Sequence, residues 1–168
     1  MVNESDKLLF RETIDKQITI DKDKDKDNKN NASSNSKPDK PFEGYSYLYE
    51  PNILGSEPVI HAKAGLSAKI VKKMKQGNIG STPSIDLHGH KIEEACQALS
   101  RFIHFHSDER FIHIIHGKGY HSDNGLSIIK SQVVNYLKQH PQVLGFCSCP
   151  QAMGGTGAVF ACLKKANV

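Results

Sequence analysis

Hydrophobic and polar residues follow regular patterns over residues 85–168. Apolar residues recur at helical spacing from Ile92 to Ile103 and from Leu126 to Leu137, which predicts two amphipathic helices. Four short apolar or β-branched runs predict strands, one starting at Ser84 and the others at 111–115, 143–149 and 158–164. The order βαβαββ predicts an α/β fold, a two-layer sandwich of two helices on a mixed four-stranded sheet. Its first two strands should be parallel, because helical crossovers are right-handed.

The first half of the chain has a different pattern. Residues 1–20 predict a short helical segment, and residues 21–41, with one apolar side chain, predict a disordered charged linker. Residues 42–84 predict an extended arm followed by a helix over 64–76, ending at Gly77. The lysine-rich face of that helix is equally compatible with phosphate binding and with simple solvation. Alternating tyrosines in the arm could stack on bases or, more commonly, pack against the neighbouring domain; they are Tyr45, Tyr47 and Tyr49.

Composition narrows the class of protein. The 168 residues carry 22 Lys plus Arg and 18 Asp plus Glu, a formal charge of +4, and eight of the nine His residues fall in the second half. No apolar run is long enough to span a membrane, and the first residues lack the apolar stretch of a signal peptide. Four Cys residues without zinc-site spacing favour buried thiols in a reducing compartment. We therefore expect a cytoplasmic protein without a membrane partner.

The first candidate motif is Asp86-Leu87-His88-Gly89, at the carboxyl end of the first predicted strand. Residues two apart on a strand share a face, so Asp86 and His88 should emerge together while Leu87 enters the core. Ligands of open α/β sheets commonly bind at this end of the strands. A carboxylate beside an imidazole is suited to acid–base catalysis or to metal binding, although a structural hydrogen bond is also a sufficient explanation.

Two glycine-rich motifs follow, and both are expected at the same end of the sheet. The HGKG loop (residues 116–119) comes directly after the second strand, where its glycines could let backbone amides approach an anion or could simply form a tight turn. The glycine turn (residues 154–157) joins the last two strands and has three glycines in four positions. A hairpin explains one or two of these glycines, and the third indicates a close approach to the backbone.

Over residues 85–165 the chain resembles the Smr (small MutS-related) domain. The resemblance lies in three motifs, each of which follows a predicted strand, in the order IDLHG, HGKG and GGTGA. The basic stretch KIVKKMKQGNIGSTPS resembles the segment that precedes this domain in bacterial stand-alone Smr proteins, and LLFRETI resembles the N-terminus of the SmrA branch. The resemblance implies a fold similar to the C-terminal domain of translation initiation factor three. It also implies nucleic-acid binding with endonuclease activity on DNA or RNA, and one branch of the family cleaves messenger RNA on collided ribosomes.

The resemblance also implies which residues of this chain form the site. The family's catalytic pair corresponds to Asp86 and His88. Backbone-binding positions correspond to the two glycine-rich motifs, that is, to His116, Gly117, Lys118, Gly119, Gly154, Gly155 and Gly157. The expected partners are DNA or RNA and, through the related branch, the ribosome. No cofactor is required with RNA, whereas hydrolysis of DNA favours a divalent cation, Mg²⁺ or Mn²⁺. The alternative is a non-catalytic module that binds nucleic acid or the ribosome.

Overall fold

A computed structural model describes residues 39–44, 51–119 and 125–165 of the chain. These residues form three α-helices, which are α1 (Ala68–Gln76), α2 (Ile92–Phe105) and α3 (Ile128–Gln139). They also form five strands, which are β1 (Ile60–Ala62), β2 (Ser84–Asp86), β3 (Phe111–Ile115), β4 (Val143–Ser148) and β5 (Ala158–Leu163). The expected α/β class is confirmed, and each helix and strand predicted from residue 64 onwards is present.

The strands form one mixed sheet in the order β1-β4-β5-β3-β2. Strands β2 and β3 are parallel, as the right-handed crossover through α2 requires, and all other pairs are antiparallel. The prediction of four strands was wrong by one, because Ile60–Ala62 pairs with β4 and extends the sheet at its edge. Three residues that include His61 lack the length and alternation that identify a strand in a sequence.

The two faces of the sheet carry different layers. Helices α2 and α3 cover one face and enclose the main core, in which Leu87, Leu99 and Phe146 are almost fully buried. The second face carries a smaller core, in which Met74 on the apolar side of α1 packs against Phe160 and three cysteines. The predicted helix over 64–76 is therefore part of the sandwich and lies on the sheet face opposite α2 and α3.

Segments before the sheet are tied to α2 and α3 by side-chain hydrogen bonds. The Phe42 carbonyl accepts two of them, from Ser100 Oγ at 2.8 Å and from the Tyr136 hydroxyl at 3.0 Å. Ser131 Oγ accepts the amides of Asn52 and Ile53 at 3.2 and 3.1 Å. These bonds satisfy backbone groups that no helix or strand pairs, so both segments are held in fixed positions.

Several predictions concern residues outside the described ranges. They include the N-terminal helical segment, the charged linker as far as residue 38 and the three tyrosines of the arm. The motif LLFRETI, on which the resemblance to the SmrA branch rests, also lies there. Among the described residues, no helix has the length and apolar character needed to cross a membrane.

Candidate active site

Asp86 and His88 lie at the carboxyl end of β2, which is an edge strand of the sheet. As expected from the alternation of side chains, Leu87 between them is buried in the main core. Their side chains meet, with Asp86 Oδ1 2.6 Å from His88 Nδ1, and the same oxygen accepts the His88 amide at 3.0 Å. Asp86 is 47% exposed and His88 is 72% exposed, so the pair is open to a large ligand.

The contact with Asp86 favours one tautomer of a neutral His88 ring. Burial raises the pKa of Asp86, but hydrogen bonds from the backbone and ring of His88 lower it by more, so its pKa lies below the ordinary value. Asp86 is therefore ionised at neutral pH and accepts the proton on Nδ1 of His88. This tautomer leaves a lone pair on Nε2, directed away from the carboxylate. The arrangement can accept a proton and stabilise the imidazolium that results.

The sheet register brings both glycine-rich motifs to the same end as this pair. Asp86 pairs with Ile115, the last residue of β3, and Ile115 pairs with Ala158, the first residue of β5. The Gly157 carbonyl accepts the amides of His116 and Gly117 at 3.0 and 2.9 Å, which joins the glycine turn to the HGKG loop. The three motifs predicted to share one rim therefore do so.

Gly117 and Gly157 lie at the points where the motifs touch. A Cβ on Gly117 would lie 3.5 Å from His88 Cβ, and a Cβ on Gly157 would lie 3.1 Å from Lys118 Cγ. Gly117 also adopts a φ of 77°, which other residues rarely adopt. The Lys118 side chain passes over Gly157 of the glycine turn.

The remaining glycines of the two motifs shape turns. Gly154, between two short 3₁₀ turns, and Gly155, the first residue of the second turn, adopt φ values of 108° and 56°. Gly119 has a φ of 67°, and a Cβ there would lie 2.9 Å from the backbone and side chain of Ser127, at the start of α3. These positions are explained by backbone geometry alone.

The His116 side chain lies inside the protein, where 2% of the residue is exposed. Its Nδ1–H donates to the Gly117 carbonyl at 2.8 Å, and Nε2 has no hydrogen-bond partner among the described residues. Burial lowers the pKa of His116 to about 4, with a smaller contribution from the nearby Lys130 ammonium, so the ring is neutral. The structure thus places the backbone of His116 at the rim and its ring beneath the loop.

Lys130 is a site residue that the sequence did not reveal. It is fully buried in α3, and its ammonium donates to the carbonyls of Leu54 and Gly55 at 3.0 and 3.1 Å and to the Glu57 carbonyl. A Cβ on Gly55 would lie 1.8 Å from the Lys118 carbonyl oxygen, so this turn presses against the HGKG loop. A lysine in an amphipathic helix ordinarily predicts a solvated face, and only the structure shows this contact.

His113 links β2 to the glycine turn on the sheet face that carries α1. Its Nε2–H donates to the Met153 carbonyl at 3.2 Å, and its Nδ1 accepts the Ser84 hydroxyl at 3.1 Å. The ring also contacts that of Phe160, with centroids 4.9 Å apart. His113 therefore lies on the opposite face from His116 and holds the segment before the glycine turn against the strand that ends in Asp86.

A divalent cation remains a prediction. Asp86 supplies one carboxylate, and the part of the chain that the structure describes contains no group of three His, Cys, Asp or Glu side chains able to hold an ion. The residues present thus do not fit a metal site built by the protein alone. The expected buried thiols are confirmed, since all four cysteines are free and buried.

Comparisons with known proteins agree with the motif geometry. The model of the Smr domain matches residues 85–164, a range that contains all three motifs. A protein of Serratia proteamaculans named ribosome rescue factor SmrB is 32% identical over 126 residues, which cover 73% of this chain and 68% of that protein. The chain belongs to the Smr domain family. The Smr domain so defined begins at Ile85, and therefore β1 and α1 lie outside it although they belong to the same sandwich.

Two further relatives of this Smr protein are informative. Ribosome rescue factor SmrB of Buchnera aphidicola is 30% identical over 71% of this chain, and the match covers 62% of that protein, less than two thirds of its length. The crystal structure of YdaL, a stand-alone small MutS-related protein from Escherichia coli, superposes with a TM-score of 0.58 at 28% identity. That match covers 67% of this chain and 88% of YdaL. Both relatives support a fold that extends beyond the Smr domain.

Proposed function

We propose that this Smr protein is a nucleic-acid endonuclease that cleaves phosphodiester bonds at the rim formed by the three motifs. The observation that carries the proposal is the 2.6 Å contact between Asp86 and His88 Nδ1, which leaves Nε2 of an exposed imidazole able to accept a proton beside two glycine-rich loops. A large polymeric substrate can reach this site because it lies at the open edge of the sheet.

On RNA, the chain's own residues are sufficient for transesterification. His88 Nε2 accepts the proton of a 2′-hydroxyl, whose oxygen attacks the adjacent phosphorus, and the bond from phosphorus to the 5′-oxygen breaks. The products are a 2′,3′-cyclic phosphate and a 5′-hydroxyl end, the latter receiving its proton from the imidazolium or from water. Asp86 keeps the ring oriented and stabilises its protonated form.

The HGKG loop would contribute through Lys118 and through its backbone shape. The amides of His116 and Gly117 already donate to the Gly157 carbonyl, so we assign them to holding the two loops together. The Lys118 ammonium, carried over the glycine turn, would offset charge on the phosphate in the transition state. We assign the buried His116 ring to supporting the loop, because its position beneath the backbone keeps it from contacting a phosphate.

On DNA, water must be the attacking group because there is no 2′-hydroxyl. On this route Asp86 would help to hold a divalent cation, which would activate the attacking water and offset negative charge on the phosphate. The two routes therefore predict that the cleavage rate depends differently on the 2′-hydroxyl of the substrate and on chelators.

The decisive experiment uses matched RNA and DNA strands with wild-type protein and with His88→Ala and Asp86→Asn. We expect His88→Ala to lower the cleavage rate by about 10²–10⁴-fold, the usual contribution of a general base. The control is the exposed neighbour His90, whose Nδ1 lies 3.5 Å from the His88 carbonyl; His90→Ala keeps the contact between Asp86 and His88 and should lower the rate far less than His88→Ala. Cleavage that survives a 2′-deoxy substitution at the cut position would eliminate the transesterification route, and full activity in excess chelator would eliminate the metal-assisted one.

A binding module without catalysis is the second candidate. It is favoured by one finding, that the relatives from Serratia proteamaculans and Buchnera aphidicola are named ribosome rescue factors. Purified ribosomes and RNA separate the two functions. If the wild-type protein binds them but cleaves no faster than His88→Ala, the binding module is correct and the endonuclease is not.

A further inference from the structure

Helix α1 carries a row of lysines that the proposed active site does not use. All four are exposed to solvent, and they are Lys69, Lys72, Lys73 and Lys75. The stretch around them, residues 58–85, contains five Lys and no Asp or Glu, so its formal charge of +5 exceeds the +4 of the whole chain. Among the described residues, none of the four helix lysines forms an ion pair. Their positive charge is therefore available to an anion from outside the protein.

Simple solvation does not account for this charge pattern. A solvated helix face usually mixes charges of both signs, as α2 does with two Glu in its first turn and an exposed Arg101. In α1, Lys69 lies three and four positions before Lys72 and Lys73, so like charges are neighbours on one face and repel one another. The helix dipole favours the two lysines of the last turn but disfavours Lys69 in the first. An anion bound to this face would offset both effects.

The C-terminal end of α1 lies at the rim that holds the three motifs. Just before α1 begins, Leu66 lies against the early part of β4, where a Cβ on Gly145 would be 2.5 Å from Leu66 Cδ2. Just after α1 ends, a Cβ on Gly77 would be 2.8 Å from Met153 Sδ and 3.3 Å from Pro150 Cγ. Both of these residues belong to the segment between β4 and the glycine turn. The lysine row therefore starts near the rim and runs away from it along β4.

The end of α1 is also connected to the strand that carries Asp86. The Met153 carbonyl accepts the His113 Nε2–H, and His113 Nδ1 accepts the hydroxyl of Ser84, the first residue of β2. Three strand spacings, or about 14 Å, separate β4 beneath α1 from β2. A stacked strand rises about 3.4 Å per nucleotide, so about four nucleotides cover this distance. One strand can therefore contact α1 and the active site at the same time.

We propose that α1 binds the backbone of the nucleic-acid strand that flanks the cleavage site, through its lysine face (Lys69, Lys72 and Lys73). The inference rests on the proposed nucleic-acid function and names the surface that holds the substrate. Phosphates would neutralise the neighbouring charges, and contacts to phosphates carry no sequence preference of their own. The Smr family model begins at Ile85, so this surface lies outside the matched range although it folds on the same sheet.

A binding assay with single strands of RNA and DNA tests the lysine face without cleavage. Asp86→Ala serves as the background for two triple variants. The α1 variant combines Lys69→Gln, Lys72→Gln and Lys73→Gln. The control variant removes the same charge from exposed positions elsewhere, through Lys138→Gln, Lys164→Gln and Lys165→Gln. Glutamine has nearly the helix propensity of lysine, so both variants should fold, and thermal unfolding verifies this.

The expected effect is a weaker dependence of affinity on salt. Each phosphate contact on a single strand contributes about 0.7 to the slope of log affinity against log salt, so the α1 variant should lose about 2 from that slope. Lowering the salt tenfold would then strengthen binding by the background protein about 100-fold more than binding by the α1 variant. The control variant should keep most of the slope.

Substrate length tests where the strand lies. Helix α1 is about 13 Å long, so crossing the sheet and lying along α1 requires about eight nucleotides on one side of the cut. In the active protein, the α1 substitutions should raise KM far more for a strand of that length than for one with about two nucleotides on each side, which cannot reach α1. An equal rise in KM for both lengths would overturn the assignment to the flanking strand.

The outcomes separate this inference from the proposed activity. Equal slopes for the two triple variants would show that net charge alone sets affinity and would overturn the lysine face as a binding surface. Wild-type cleavage with unchanged binding by the α1 variant would do the same, while leaving the endonuclease intact. Binding that depends on the lysine face, by a protein that cleaves nothing, would support this inference and overturn the endonuclease.

Discussion

Replacing Lys130 with Met should strongly destabilise the protein and disturb the HGKG loop. Methionine keeps most of the aliphatic volume within α3 and removes the ammonium. Three carbonyls of the turn at residues 54–57 then lose their donor in a site where Lys130 is 0% exposed. Because Gly55 presses against the Lys118 carbonyl, movement of this turn reaches the candidate active site.

The expected change in the free energy of unfolding for Lys130→Met is the difference between two opposing contributions. Hydrogen bonds to a charged group contribute about 1.5–3 kcal/mol each, or about 5–9 kcal/mol for three. Removing the ammonium also removes its desolvation cost of several kcal/mol. The net loss in the free energy of unfolding should therefore be about 3–5 kcal/mol, a large part of the roughly 5–15 kcal/mol that typical domains possess.

Urea denaturation measures this loss, and Lys138→Met is the matched control on the same helix. Lys138 is exposed, so its replacement should change the free energy of unfolding by no more than about 0.5 kcal/mol. Amide exchange at Gly117 and Gly119 reports whether the loop is released. A loss below about 1 kcal/mol for Lys130→Met, or an equal loss in both variants, would refute the argument that the ammonium holds the turn.

Three further predictions follow from buried groups and close contacts. Burial lowers the pKa of His116 and His140 from 6.5 to about 4, so the unfolded chain binds more protons between these values. The free energy of unfolding therefore keeps its full value above about pH 6.5 and falls by up to about 3 kcal/mol per ring as the pH is lowered towards 4. Equal midpoints of urea unfolding at about pH 7 and 4.5 would contradict this. Gly55→Ala places a Cβ 1.8 Å from a backbone oxygen of the HGKG loop, and should cost about 2–3 kcal/mol and lower cleavage, as unfolding and rate measurements will test. Burial raises the pKa of Cys147 to about 11 and of Cys149 to about 12, so alkylation monitored by mass spectrometry should modify them only after unfolding.

The sequence predicted the parts of the fold that depend on local pattern. The β-branched run Phe111–Ile115 forms a strand with the bounds expected, and α1 ends at Gly77 in the left-handed conformation typical of a helix end. The shared rim was also predictable, because strand direction alone brings the ends of β2 and β3 together.

Contacts between distant segments were not predictable. Lys130 and Gly55 are 75 positions apart, and neither the helical pattern around Lys130 nor the turn sequence indicates that they meet. The state of His116 was likewise hidden, since a histidine after a strand can point to solvent or inward, and only the packing of α3 against the loop decides. The meeting of the Asp86 and His88 side chains, by contrast, follows from the alternation of side chains along one strand, so the sequence predicted it.

Strand β1 has a consequence for how the protein can be divided. A chain that began at residue 84 would contain the whole Smr domain, yet it would lack the strand that pairs with β4 and the helix, with Met74, that covers the second face of the sheet. The exposed edge of β4 would then offer unpaired backbone groups to other chains, and the second core would face water. The residue range that matches the Smr family model is thus shorter than the range that folds as one unit. We expect the shorter chain to associate with itself. A chain that begins before Phe42 should not do so.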